Sequence, residues 1–217
     1  MKIFAIVPVK KFENSKTRLS SMLTLDERII LSSLMLSSTL EVLACASLTE
    51  MVVVSSDRRV QGIASEHGAR FLYEEKEKGV NSAVAIADSY CVKQGGDATI
   101  VVPEDLPLLD TTDIMMVCDL VANEGRCIVI CPSSRYDGTN LLFRKPPDAM
   151  RTHYDNNSYI THIDIAKKLG IPVKIFFSKR LMYDIDTPED VKQLAGGCSR
   201  SKTIEFLKQK AGRLSVT

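Results

Sequence analysis

From residue 2 to residue 124 the chain alternates short, β-branched apolar runs with helical stretches, and that alternation leaves few folds open. The runs are KIFAIVPV (2–9), MVVVS (51–55), ARFLY (69–73) and ATIVV (98–102). Between the first two, Leu25, Ile29, Leu36, Leu40 and Leu43 fall on helical spacing behind Thr24 and Glu27, a capping box. A short helix starts at Asp57, another spans 83–93 and stops at Gly95-Gly96, and a fourth spans 110–124. The mixed charges of EEKEKGVNS (74–82) read as a solvated, mobile loop. Strands buried on both faces read as continuous apolar runs, and right-handed crossovers between them build a parallel sheet covered by helices.

The second half departs from this rhythm. Only SSRYDG (133–138) separates the strand-like segments Cys127–Pro132 and Thr139–Arg144, too short for a crossover, so these two should pair antiparallel. A helix over 158–169 closed by Gly170, a strand over Val173–Phe177 and a β-like Tyr183–Asp186 follow. Thr187-Pro188-Glu189-Asp190 then carries the cap and the first-turn proline of a further helix. The fold class expected is α/β: a three-layer α/β/α arrangement on a mostly parallel, Rossmann-like sheet with an antiparallel portion. One domain is expected over 1–196. Residues 197–217 form a helical tail, in which TIEFLKQKAGRL is weakly amphipathic and its last residues fray.

A net charge of +1 gives no basic surface for nucleic acid, and no apolar run approaches the length of a membrane span. MKIFAIVPVKK lacks a small-residue cleavage site and reads as a first strand, so a cytoplasmic protein is expected. Six cysteines without a C-x-x-C pair, with Cys45, Cys91 and Cys118 in apolar helical patterns, read as reduced structural thiols. His67, His153 and His162 lie too far apart to form a local metal site.

Three segments could carry chemistry. Pro103 ends the run of residues 98–102, and Glu104 and Asp105 then arrive at the carboxyl edge of the sheet, where open α/β sheets bind ligands. These acids could equally solvate a loop or cap the next helix. The loop after the first strand, KKFENSKTRLS, sets Lys10, Lys11, Lys16 and Arg18 against the single acid Glu13, with donors at Asn14, Ser15, Thr17 and Ser20. Such a loop suits phosphates, although neither a Walker nor a dinucleotide glycine signature is present and a solvated basic loop fits as well. Asp184-Ile185-Asp186 puts two acids on one side of an extended segment, which is also ordinary helix-start chemistry. Combined with Asp105, it offers two carboxylates to bracket one Mg²⁺. Without a cation, such a pair should be loose or partly protonated.

IVPVKKFENSKTRLS, VVPEDLPLL, DGTNLL, YDNNSYITH and DIDTPEDV occur in this order, over roughly residues 2 to 195. Together they resemble the 2-phospho-L-lactate guanylyltransferase family of coenzyme F420 biosynthesis, within the nucleotidyltransferases of glycosyltransferase-A-like fold. The resemblance implies a nucleotide-diphospho-sugar-transferase-like sheet and transfer of GMP from GTP to 2-phospho-L-lactate, with release of pyrophosphate. It implies nucleotide contacts from Pro8, Val9, Lys10, Lys16, Arg18, Pro103 and Asp105, with Lys16 and Arg18 on the triphosphate and Lys16, Arg18 and Asp105 catalytic. It further implies Mg²⁺ on Asp105 and Asp186, and the phosphorylated three-carbon acid on Thr139, Asn140 and Ser158. Relatives often carry Y-G-x-G-S-F where this chain has Tyr154-Asp155-Asn156-Asn157-Ser158-Tyr159, so the acceptor loop is the point of departure. Phosphoenolpyruvate, phosphoglycerate, a sugar phosphate or molybdopterin would be alternative acceptors on this scaffold, and a non-catalytic nucleotide-binding module is the alternative class. The oligomeric state stays open at this level, a homodimer among the options.

Overall fold

A computed structural model describes residues 1–195 and 201–211. Seven strands form one sheet: β1 (Ile3–Val9), β2 (Glu50–Ser55), β3 (Arg70–Tyr73), β4 (Ala98–Val101), β5 (Cys127–Pro132), β6 (Thr139–Lys145) and β7 (Val173–Ile175). Their order is β3-β2-β1-β4-β6-β5-β7. The pairs β1–β2, β1–β4, β2–β3 and β5–β7 are parallel, whereas β6 runs antiparallel to both β4 and β5. One strand is therefore reversed within a sheet whose other strands share a direction, as the short 133–138 connection requires.

The helices are α1 (Leu25–Ala44), α2 (Arg58–Glu66), α3 (Val80–Lys93), α4 (Thr111–Leu120), α5 (Ser158–Lys168), α6 (Pro188–Ala195) and α7 (Lys202–Ala211). Thr24 and Glu27 close the capping box on α1, and Asp110 with Asp113 closes another on α4. One face of the sheet packs Ala5, Val53, Ile100 and Phe143 against Leu36 and Leu40 of α1 and Ile114 and Val117 of α4. The other packs Ile6, Val52, Val101 and Leu142 against Ala83 and Ala87 of α3 and Tyr159 and Ala166 of α5. A third cluster lies outside both layers, joining Leu31 and Met35 of α1 to Ile185, Val191 of α6, and Ile204 and Leu207 of α7.

Several sequence expectations need correction. The 74–82 stretch is not a mobile loop throughout: Glu74 is buried and accepts hydrogen bonds from Ser82 Oγ and Lys78 N, and α3 already begins at Val80. Helix α4 stops at Leu120, four residues short of Glu124, and β7 stops at Ile175. Cys45 is exposed at the end of α1; the five described cysteines are free, and burial raises the Cys91 thiol to about 12. Tyr183–Asp186 forms no strand. Its extended backbone instead ties to the loop after β4, Ile185 N donating to Asp105 O at 3.2 Å. Gly196-Gly197, Cys198 and the tail's fraying end lie outside the described residues. No helix among the described residues is long and apolar enough to cross a membrane.

Ile185 is fully buried between Asp184 and Asp186, so the third cluster anchors the acidic segment. Ile185→Ala should cost about 2–4 kcal/mol of unfolding free energy, the range for a large-to-small change in a packed core. Urea denaturation of the two proteins measures it.

Candidate functional site

The strand order reverses direction beside β1: β2 lies on one side and β4 on the other. The loops leaving β1 and β4 therefore diverge and open a crevice at the carboxyl edge, the place where such sheets bind ligands. A cavity of about 370 Å³ occupies it, lined by Lys10, Asn14, Ser15, Lys16, Thr17, Arg18, Val80, Pro103, Glu104, Asp105 and Asp186. Pro8 and Val9 line a smaller adjoining hollow with Lys10, Glu74 and Glu77.

The β1 loop is held from three sides. The buried Phe12 donates its N–H to Asp57 Oδ2 at 3.2 Å, Arg59 pairs with Glu13 at 2.7 Å, and Arg28 of α1 donates to Ser15 O at 2.8 Å. Two short 3-10 turns, Phe12–Asn14 and Thr17–Leu19, flank Lys16, which sits at φ 53 in the left-handed region. Only asparagine, aspartate and glycine adopt that conformation readily, so a lysine there needs support from its surroundings.

Support comes from its side chain. Lys16 Nζ lies 2.7 Å from Asp105 Oδ2 and 3.0 Å from Asp186 Oδ1, with only 4% of the side chain exposed. Burial works against its charge, but Asp105, Asp186 and Glu104 outweigh that and raise its pKa. For Asp186 burial acts upward, and the charge and hydrogen bond of Lys16, with Arg18 and Arg135, prevail to hold the carboxyl below the usual range. The expected loose acid pair is thus not what forms, because Lys16 bridges the two carboxylates itself. At two neighbours burial prevails over such compensation. Burial, then the Asp105 charge, raises Glu104 to about 7 and also raises Asp184.

Arg18 behaves differently from Lys16. Its side chain is 68% exposed, with Nη1 3.7 Å from Asp186 Oδ2, and lines the cavity with the exposed Lys10. The crevice therefore presents one sequestered cation, exposed cations at its rim and a carboxylate pair converging on a single cationic atom. That donor set fits Mg²⁺, which takes one or two carboxylates and completes its shell with phosphate oxygens and water. No cluster of three or more His, Cys, Asp or Glu side chains suited to a metal occurs among the described residues, so substrate would have to supply the remaining ligands.

The acceptor candidates split. Thr139 and Ser158 meet, with Ser158 Oγ donating to Thr139 Oγ1 at 3.2 Å. Asn140 turns away: its Nδ2 donates to Leu181 O at 2.9 Å and to Asp184 Oδ1 at 3.2 Å, fixing the acidic segment from below. Within the departure at 154–159, Asn157 occupies the left-handed region (φ 56), which suits glycine best and asparagine next. Asp155 accepts a hydrogen bond from Asn81 Nδ2 at 3.2 Å. His162 is fully buried, its Nδ1 3.0 Å from Thr139 Oγ1 and its Nε2 accepting from His153 N at 2.8 Å. Its only trace in the sequence is weak: a histidine on the inward face of a helix that starts at Ser158.

With this geometry established, comparison with known proteins is decisive. A family model described as guanylyl transferase, CofC-like, matches residues 1–216. The chain belongs to the CofC-like guanylyl transferases. It is 34% identical over 194 residues to a phosphoenolpyruvate guanylyltransferase of Rubrobacter xylanophilus, covering 89% of this chain and 94% of the relative. To a 2-phospho-L-lactate guanylyltransferase of Methanothermobacter thermautotrophicus it is 33% identical over 209 residues, covering 96% and 91%. Among solved structures, a nucleotide-diphospho-sugar transferase homologue from Desulfovibrio desulfuricans superposes at a TM-score of 0.77, with 15% identity and coverage of 100% and 98%. A cytidylyltransferase from Leptospira borgpetersenii superposes at 0.63, with 16% identity and coverage of 100% and 96%. These two likenesses establish the fold, that of the nucleotide-diphospho-sugar transferases.

One electrostatic consequence is measurable. Burial, then Arg144 and His153, push the His162 imidazole down to about 3. Between that value and the unfolded value near 6.5, the unfolded chain binds a proton that the fold refuses, so stability is full above about 6.5 and falls as pH drops. From pH 7.5 to pH 5 this residue alone should remove about 2 kcal/mol. His162→Asn lacks the term, so its stability deficit against the parent should shrink by that amount over the same interval, as read by urea unfolding at both pH values.

Proposed function

We propose that this chain transfers GMP from GTP to a phosphorylated three-carbon acid, 2-phospho-L-lactate, with release of pyrophosphate, as a step of coenzyme F420 biosynthesis. The observation that carries the proposal is the convergence of Lys16, Arg18, Asp105 and Asp186 on one crevice at the switch point of a guanylyl transferase sheet.

The chemistry follows from charge. A phosphate oxygen of the acceptor attacks the α-phosphorus of GTP, a new P–O bond forms, and the bond from the α-phosphorus to the bridging oxygen of pyrophosphate breaks. The nucleophile is already an anion, so no general base is required. Mutual repulsion of two polyanions is the main obstacle, and positioned positive charge offsets it. Arg18 and Lys10, exposed at the rim, meet the triphosphate first. Lys16 is placed to exchange carboxylate for phosphate oxygens as the nucleotide enters. Asp105 and Asp186 would hold Mg²⁺, which, when bound, neutralises phosphate charge and stabilises the leaving pyrophosphate. Thr139 and Ser158 hold the acid at the start of α5. Asn157 makes no side-chain cap there, which leaves first-turn N–H groups for an anion.

A second acceptor has a specific observation in its favour: the phosphoenolpyruvate-named relative is as similar to this chain as the phospholactate-named one. Purified protein with GTP and Mg²⁺ should release pyrophosphate with 2-phospho-L-lactate. Faster release with phosphoenolpyruvate would move the acceptor assignment, and release only with a sugar phosphate would overturn it.

Asp105→Asn and Asp186→Asn should each lower turnover by about 100-fold or more, since each removes charge from the cation site. The double variant should be little worse than either single one, because groups acting as a unit are non-additive. Losses that multiply would mean the two acids act separately.

A further inference from the structure

We propose that His162 is a positioning residue for the acceptor: it fixes the Thr139 hydroxyl so that the single proton of that hydroxyl is offered outward to the phosphorylated acid. This rests on the reading that Thr139 and Ser158 hold that acid.

Hydrogen-bond accounting leads there. The backbone N–H of His153 can only donate, and it lies 2.8 Å from His162 Nε2. That nitrogen must therefore present its lone pair, and the one proton of a neutral imidazole sits on Nδ1. Nδ1 is 3.0 Å from Thr139 Oγ1, so the ring donates to the hydroxyl oxygen. Ser158 Oγ donates to the same oxygen at 3.2 Å. A hydroxyl has two lone pairs and one proton, and both lone pairs are now engaged. Thr139 is left as an obligate donor, and no hydrogen-bond acceptor for its proton is found among the described residues.

A nearly buried donor without an acceptor is costly, and an anionic oxygen relieves that cost with a charge-assisted bond. The same arrangement disfavours a ligand that presents a donor at this point, since Thr139 can no longer accept. His162 is thereby a specificity element that touches no substrate. Its tautomer is held by a main-chain group, and Tyr154 fixes the ring plane by an edge contact, centroid to centroid 5.0 Å. Buried Arg144, paired with Asp88 at 2.6 Å, and half-exposed His153 are the charged or titratable groups that act on it.

The test combines spectroscopy with a mutant cycle. Only three histidines occur in the chain, so ¹⁵N-imidazole spectra of labelled protein can be assigned with single variants. His162 Nε2 should resonate as an unprotonated nitrogen and Nδ1 as a protonated one, unchanged between pH 8 and pH 5.5. The opposite tautomer, or exchange between the two, overturns the proposal. In steady-state pyrophosphate release, His162→Phe removes the donor and should raise KM for the phosphorylated acid about ten-fold or more, with KM for GTP within about two-fold. His162→Asn keeps a donor near the Nδ1 position and should recover most of that loss. Thr139→Val should resemble His162→Phe, and the double variant should be no worse than Thr139→Val alone. Losses that multiply, or an equal rise in both KM values, overturn the proposal while leaving the proposed reaction standing. If the parent protein turns over no phosphorylated three-carbon acid, the functional reading falls and this inference falls with it.

Discussion

A charge withdrawn from water must be matched, and at Lys16 the matching joins three distant parts of the chain. Its ammonium touches one acid from the loop after β4 and another from the segment before α6, while its own backbone belongs to the loop after β1. The left-handed backbone at Lys16 is tolerable because those two contacts hold the side chain inward. Ile185 N bonding to Asp105 O, and Asn140 gripping Asp184, bring the acids to the lysine rather than the reverse. The ammonium and its two carboxylates are consequently held together by the fold's own contacts. On the proposed reading, an entering nucleotide would have to win that ammonium from its two carboxylates.

The frame of the protein was legible because local signals agreed with each other. Continuous apolar runs at 2–9, 51–55 and 98–102 need both faces covered, and the helices between them carry their own caps at Thr24, Asp57 and Asp110. The reversed β6 followed from the length of the 133–138 connection alone. Boundaries were less legible where burial overrode composition. Glu74 sits in a run of charges that reads as solvated, yet it is buried and shapes the start of α3. Val121 and the residues after it carry helical character on paper, but the chain turns there to reach β5.

Within the site, the identity of the charged residues was readable and their pairing was not. Lys10, Lys16 and Arg18 look alike in sequence, and nothing local distinguishes the one that turns inward from the two that stay exposed. That distinction depends on where Asp186 arrives, some 170 positions later. His162 was hidden for a related reason: its partners are a main-chain amide nine residues before it and a strand residue 23 before it. The Asp155-Asn156-Asn157 departure, in contrast, resolves through intrinsic preference. Asparagine is the side chain best suited to replace glycine in the left-handed region, and Asn157 adopts it.

The reversal of β6 has a consequence for how such enzymes diversify. Because β6 runs against β4, its first residue, Thr139, reaches the same edge as the carboxyl ends of β1 and β4. Lys16 and Asp105 thus reach that edge on the connections after β1 and β4, and Thr139 reaches it at the start of β6. On the proposed reading, changes at Thr139 and Ser158 would retune which small acid is taken, whereas Asn140, which holds Leu181 and Asp184, ties this half to the acids on Lys16. Relatives of almost equal similarity to this chain are named for different acids, which is what retuning at one edge of a shared sheet would leave behind.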